Sequence, residues 1–204
     1  MRASHPPGLT RHLPNLVTIG RALAGLAGAW MLLHARHLHL EAGTQEAAVW
    51  FAAGSGLVFA IAALSDGLDG WLARALGATS PLGALLDPIA DKVLVAAYLL
   101  AFVRVSGLDP YLTPAVAIIV GRDVVVTGLR LSRLSRDEVP LPVTDDAKFK
   151  TGLVMILIAL PYLLVLFGMR EVAAWFYLWV GGVWLAAALS AWTAVPYLRK
   201  ALSR

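Results

Sequence analysis

The chain has 204 residues, 59% of them hydrophobic and only 15% charged, with a mean hydropathy of +0.73. Soluble domains are roughly 45–50% apolar, so an ordinary water-soluble enzyme is excluded. There is no cysteine, which rules out disulfides, thiolate nucleophiles and zinc–thiolate sites, and a net charge of +4 without a basic patch gives no sign of a nucleic-acid partner.

The lead-in, residues 1–15, carries Pro6, Pro7 and Pro14 and an amphipathic stretch around Leu9 to Leu16 expected at the membrane surface. Its basic residues precede an apolar run, as in a signal peptide. Arg21 interrupts the transition and no small-residue cleavage site follows, so the segment is expected to be retained. Six apolar segments come next, at about 16–33, 47–64, 85–103, 112–131, 152–167 and 172–195. Each is near the ~20 residues that a spanning helix needs. They lack period-2 alternation and are rich in Ala and Leu, which favours helices over barrel strands. The predicted fold is therefore all-α and integral to the membrane. It has one six-helix domain over residues 16–204, preceded by a short interfacial segment over 1–15.

The second helix is predicted to outrun its apolar part, because Ser65 to Arg74 continue at helical spacing. Ala78-Thr79-Ser80-Pro81 then makes a turn, with Pro81 at a helix entry where its missing N–H costs little. His34, His37 and His39 are placed in a solvated loop after the first helix, and Trp175, Trp179, Trp184 and Trp192 as interface anchors or packing. With the N-terminus inside, most Lys and Arg fall on the cytoplasmic side, while Arg36, Arg104 and Arg170 fall outside. This positive-inside bias predicts an inner-membrane protein with both termini in the cytoplasm.

Asp66, Asp69, Gly70, Ala73, Arg74, Gly83, Asp87 and Asp91 form the pattern D-x-x-D-G-x-x-A-R-x8-G-x3-D-x3-D. Carboxylates at a membrane boundary are costly unless something compensates them. Asp66 and Asp69 are three apart on one helix, and Asp87 and Asp91 four apart on the next, so each pair shares a face. A short loop makes the two helices antiparallel neighbours. Four carboxylates with no histidine or cysteine nearby make a hard, all-oxygen site suited to Mg²⁺ or Mn²⁺. Their charge suits two ions clamping a transferring phosphoryl group. Gly70, Ala73 and Gly83 leave the facing helix surfaces open, and Arg74 supplies a planar cation for phosphate.

This pattern resembles the signature of the CDP-alcohol phosphotransferase family at every position. Leu13-Pro14-Asn15-Leu16-Val17-Thr18 with Arg21, and Leu86-Asp87-Pro88-Ile89-Ala90-Asp91-Lys92, are also similar to its members. The resemblance implies six helices around a cytoplasm-facing polar cavity, a homodimer, and transfer of a substituted phosphate from a CDP-linked donor to an alcohol with release of CMP. It implies that Asp66, Asp69 and Asp87 hold a first Mg²⁺ or Mn²⁺, that Asp66, Asp87 and Asp91 hold a second, and that Asp91 is the general base. It places Gly70, Ala73, Arg74 and Ser80 at the cytidine diphosphate, with Asn15 and Thr18 close by.

The second half carries the acceptor signal. Arg122 and Asp123 fall inside the fourth helix, where charges are rarely decorative. Arg122, Arg130, Lys148 and Lys150 could form a basic pocket beside the metals, fit for an acceptor with its own phosphate, such as glycerol 3-phosphate. The stretch Val139-Pro140-Leu141-Pro142-Val143-Thr144 and the following Lys148-Phe149-Lys150-Thr151 resemble the phosphatidylglycerophosphate synthases of the family, which take CDP-diacylglycerol as donor. Those enzymes usually carry Arg-Glu where this chain has Arg122-Asp123, a pair more similar to cardiolipin synthases, whose alcohol is phosphatidylglycerol. A phosphatidylinositol-phosphate synthase is a further alternative. An aromatic prenyltransferase is disfavoured by the G-x-x-A-R link and by the lack of a second Asp-rich pair in the C-terminal half. A cation transporter is disfavoured by carboxylates at one edge of the bilayer rather than its midplane.

Overall fold

The computed structural model describes the backbone of residues 13–76, 81–134, 145–169 and 173–202, and side chains within 16–65, 89–129, 149–169 and 174–195. Six helices result: α1 (Leu13–Leu40), α2 (Gln45–Leu76), α3 (Pro81–Val105), α4 (Leu112–Leu134), α5 (Asp145–Leu166) and α6 (Ala173–Leu202). Among the described residues there is no strand. Among the described residues, five stretches are long and apolar enough to cross a membrane: Leu16–Leu40, Gln45–Ser65, Leu112–Leu129, Phe149–Leu166 and Ala174–Val195. Leu57, Ile61, Leu64, Val124, Ile156 and Leu163 are exposed, as side chains meant for lipid rather than for a protein core must be. This is a multi-pass membrane protein.

Two compact units divide the chain, Met1–Ala101 and Phe102–Arg204. In the first, α1 packs along α2. Helix α1 runs seven residues beyond the apolar segment assigned to it, through Leu40. His34, His37 and His39 are therefore helical, which corrects their placement in a loop. In the extension Ala35 is buried, and side-chain contacts add to it. The His34 ring stacks on Trp30 at 5.1 Å, Phe51 meets His34 edge-on at 4.6 Å, and His37 reaches Glu41 one turn on at 3.2 Å. Gly43, at φ +83°, turns the chain at a conformation that favours glycine, and the Thr44 hydroxyl donates back to the Leu38 carbonyl.

The centre of this unit is a buried three-helix link. The Tyr98 hydroxyl on α3 donates to the Ser55 carbonyl on α2 at 2.7 Å, and the Ser55 hydroxyl donates to the Gly28 carbonyl on α1 at 2.7 Å. Phe59 packs edge-on against Tyr98 at 5.0 Å. Both glycines of α1 that face α3 are needed for this approach. A Cβ on Gly28 would collide with the Tyr98 hydroxyl, and a Cβ on Gly25 would stand 2.8 Å from the Leu94 Cα. The second contact is backbone and cannot swing away. Gly25→Ala is therefore expected to destabilise the protein by about 1–3 kcal/mol through overpacking. A thermal midpoint in detergent equal to the parent's would show that the close approach is dispensable.

In the second unit α6 packs against both α4 and α5. Helix α3 ends in a left-handed turn at Gly107 and Leu108, where the Leu108 N–H donates to the Val103 carbonyl at 2.9 Å. Asp109 then starts α4, its Oδ1 accepting from the Tyr111 and Leu112 N–H groups at 2.9 Å each. Trp179 on α6 donates its indole N–H to the Leu157 carbonyl of α5 at 2.7 Å and meets Phe102 edge-on at 5.4 Å. Trp179 is thus a packing residue, whereas Trp192 is exposed.

Candidate active site

The helical hairpin of α2 and α3 carries the acidic pattern. The helix of α2 continues past Leu64, where the apolar run of the sequence ends, through Leu76, so Asp66 and Asp69 lie on it, three residues apart. Pro81 is the first residue of α3, and Asp87 and Asp91 follow on that helix, four apart. Both pairs thus lie on helical backbone, at the spacings expected. Asp91 is half-buried. The side chains of Asn15, Asp66, Asp69, Gly70, Ala73, Arg74 and Asp87, and all of Ser80, lie outside the described residues. Thr18 and Arg21 on α1 are buried, at 2% and 3% exposure, so the polar start of α1 faces protein rather than lipid.

Three helices of the second unit converge on one carboxylate. Lys150 on α5 is 2% exposed, and its Nζ donates to both oxygens of Asp123 on α4, at 2.9 and 2.8 Å. Arg122 donates from Nη1 to Asp123 Oδ1 at 2.9 Å and from Nη2 to Thr193 Oγ1 on α6 at 3.0 Å. The Thr193 hydroxyl also lies 2.9 Å from the Leu189 carbonyl, within the helix. A buried carboxylate shared by two cations, each held in a hydrogen bond, is the arrangement that makes charge tolerable in a low dielectric. Arg122 and Lys150, expected in one basic pocket, are thus brought together around Asp123. The side chains of Arg130 and Lys148 lie outside the described residues. Sequence reasoning noticed Asp123 but gave it no role toward Lys150, and it missed Thr193. The signal for the first was a single acid on the fourth helix with lysines at the start of the fifth. A threonine in an apolar helix gives none.

A family model described as CDP-alcohol phosphatidyltransferase matches residues 11–192, which takes in the acidic hairpin and Arg122, Asp123 and Lys150. The chain belongs to the CDP-alcohol phosphatidyltransferase family. It is a transferase of that family, and the likenesses read from its motifs are borne out over most of its length. Over 192 residues it is 34% identical to the CDP-diacylglycerol–glycerol-3-phosphate 3-phosphatidyltransferase of Pseudomonas fluorescens, covering 93% of this chain and 90% of that one. It is 38% identical over 151 residues to the enzyme of the same name from Cereibacter sphaeroides, covering 74% of this chain and 63% of the relative's length. The phosphatidylinositol phosphate synthase of Mycobacterium tuberculosis, solved with CDP-DAG bound, superposes with a TM-score of 0.60. It covers 91% of this chain and 84% of that one at 21% identity, a likeness of fold.

Proposed function

We propose that this CDP-alcohol phosphatidyltransferase moves the phosphatidyl group of CDP-diacylglycerol to glycerol 3-phosphate, giving phosphatidylglycerophosphate and CMP. The reading is carried by the placement of two aspartate pairs on consecutive helices of one hairpin, in a chain whose near-full-length relative bears the name of that activity.

The donor set fits divalent ions of the Mg²⁺ or Mn²⁺ kind. It is all carboxylate, it supplies two pairs at one end of a hairpin, and the one member with a described side chain, Asp91, is half-buried rather than free in solvent. Asp66, Asp69 and Asp87 would hold a first ion, and Asp66, Asp87 and Asp91 a second. Bound there, the ions would neutralise the diphosphate oxygens and the departing CMP. Asp91 accepts the proton of the acceptor hydroxyl, whose oxygen forms a bond to the phosphatidyl phosphorus as the bond from that phosphorus to the CMP oxygen breaks. Gly70, Ala73, Arg74 and Ser80, with Asn15 and Thr18, accommodate the cytidine diphosphate.

Arg122, Arg130, Lys148 and Lys150 serve the phosphate of the acceptor. Lys150 does so in a form already bound to Asp123, so Lys148 and Arg130 are assigned the direct contact. The distribution of Lys and Arg supports the cytoplasmic side of the inner membrane for the site and both termini, and the working form is taken as a homodimer.

The test is CMP release by the purified protein, with glycerol 3-phosphate, phosphatidylglycerol and inositol 1-phosphate offered separately. Release with glycerol 3-phosphate alone is the expected result, and release only with another alcohol overturns the acceptor. Chelation by EDTA is expected to abolish release and added Mg²⁺ or Mn²⁺ to restore it; activity that survives exhaustive chelation would sink the metal assignment. Lys148→Ala is expected to raise KM for glycerol 3-phosphate by about tenfold, as for one lost charged hydrogen bond, with KM for CDP-diacylglycerol little changed. Equal effects on both would remove Lys148 from the acceptor contact.

A further inference from the structure

The carboxylates on α2 and α3 form one site only if the two helices hold a definite axial register, and the structure shows what fixes it. Tyr98 is fully buried, and its hydroxyl is bonded to the Ser55 carbonyl at 2.7 Å. Asp66 lies eleven residues after Ser55 along α2, and Asp87 lies eleven residues before Tyr98 along α3. Eleven residues are about three helical turns, a rise of about 16 Å that returns to nearly the same face. The helices form a hairpin, so the equal counts run towards the same end from one shared hydrogen bond. Asp66 and Asp87 therefore stand level, each on the face its helix presents at the link. Gly70 and Gly83 are level by the same count, four residues further towards the turn.

Helix α1 is tied to the same reference point. Gly28 stands against Tyr98 and Gly25 against Leu94, both at van der Waals limit. Carried along these two parallel helices, that register sets the buried Arg21 level with Asp91, and the buried Thr18 level with Asp87 to within a residue.

We infer that Tyr98 is a positioning residue for the carboxylate cluster: its hydrogen bond to the Ser55 carbonyl sets the register that brings Asp66 and Asp87 to one level. Apolar contacts between α2 and α3 carry no direction along the helix axis. The hydrogen bond does: a slide by a turn takes the buried Tyr98 hydroxyl away from the Ser55 carbonyl. The inference rests on reading the four carboxylates as one site, but its test needs no turnover.

The chain contains no cysteine, so introduced pairs report without background. The level pair Asp66→Cys with Asp87→Cys and the offset pair Ala73→Cys with Asp87→Cys, displaced by two turns of α2 or about 10 Å, would be treated in membranes with o-phenylenedimaleimide. Each pair is compared with Tyr98 intact, in Tyr98→Phe, and in Leu99→Ala. With Tyr98 intact the level pair is expected to cross-link in preference to the offset pair. Tyr98→Phe is expected to lower that preference about fivefold, the factor that one net hydrogen bond is worth. Leu99→Ala, which loosens the packing of α3 at a buried apolar residue but keeps the Tyr98 hydroxyl, is expected to leave the preference unchanged. An unchanged preference in Tyr98→Phe overturns the proposal. So does an equal loss in Leu99→Ala, which would signify general loosening, or an offset pair that cross-links as well as the level one from the start. Failure of CMP release with intact cross-linking preference would count against the proposed reaction and leave the register standing.

Discussion

Asp91→Asn is expected to lower CMP release by about 10²–10⁴-fold, the usual range for loss of a general base. Binding of CDP-diacylglycerol, followed by equilibrium dialysis or tryptophan fluorescence, is expected to change little, because three carboxylates and the cytidine-binding residues remain. The amide keeps the size of the side chain and can still accept a hydrogen bond, so folding is not the variable. Loss of binding with unchanged turnover per bound donor would move Asp91 from proton transfer to donor binding alone. Asp91 also lies one turn before the buried Leu94 and Val95 on α3.

Asp123→Ala is expected to cause the largest stability loss of any single change in the second unit. It leaves Lys150 and Arg122 buried without the carboxylate that both use, and breaking a buried ion pair by removing one partner costs about 3–5 kcal/mol. The measurement is the thermal midpoint in detergent for Asp123→Ala, Lys150→Met and the double variant. The double variant is expected to be no less stable than Asp123→Ala, because Met fills the space of the lysine without its charge. Strictly additive losses would mean that the two side chains do not act as a pair. Asp123→Glu keeps the charge and is expected to recover most of the stability.

The acidic hairpin was legible in the sequence because its information is local. The spacings three and four, the glycine after Asp69 and the proline at residue 81 are consequences of helical geometry that any chain must obey. The end of α1 was not legible in the same way. Hydropathy marks where lipid stops, and a helix need not stop there. His34 and His37 stay helical beside a ring stacked on Trp30 and a 3.2 Å contact with Glu41, neither of which raises an apolar average. The Tyr98–Ser55–Gly28 link was invisible for a different reason. Serine, glycine and tyrosine in apolar segments are common in any membrane helix, and which of them meet depends on packing 27 and 43 residues away in the chain. The Asp123 cluster lay between these cases: its charges announced that partners must exist, and the choice of Lys150 and Thr193 waited for the fold.

Helix α2 is 32 residues long, about 48 Å, while the apolar run in its sequence ends at Leu64. On the proposed reading, Asp66 and Asp69 hold the chemistry just past that run. A donor whose two acyl tails stay in the bilayer meets such a site by lateral diffusion. Its effective concentration is then a mole fraction of the surface, so diluting CDP-diacylglycerol with inert lipid slows the reaction even when the amount per volume is held constant. The water-soluble partner, arriving from the other direction, remains governed by its bulk concentration.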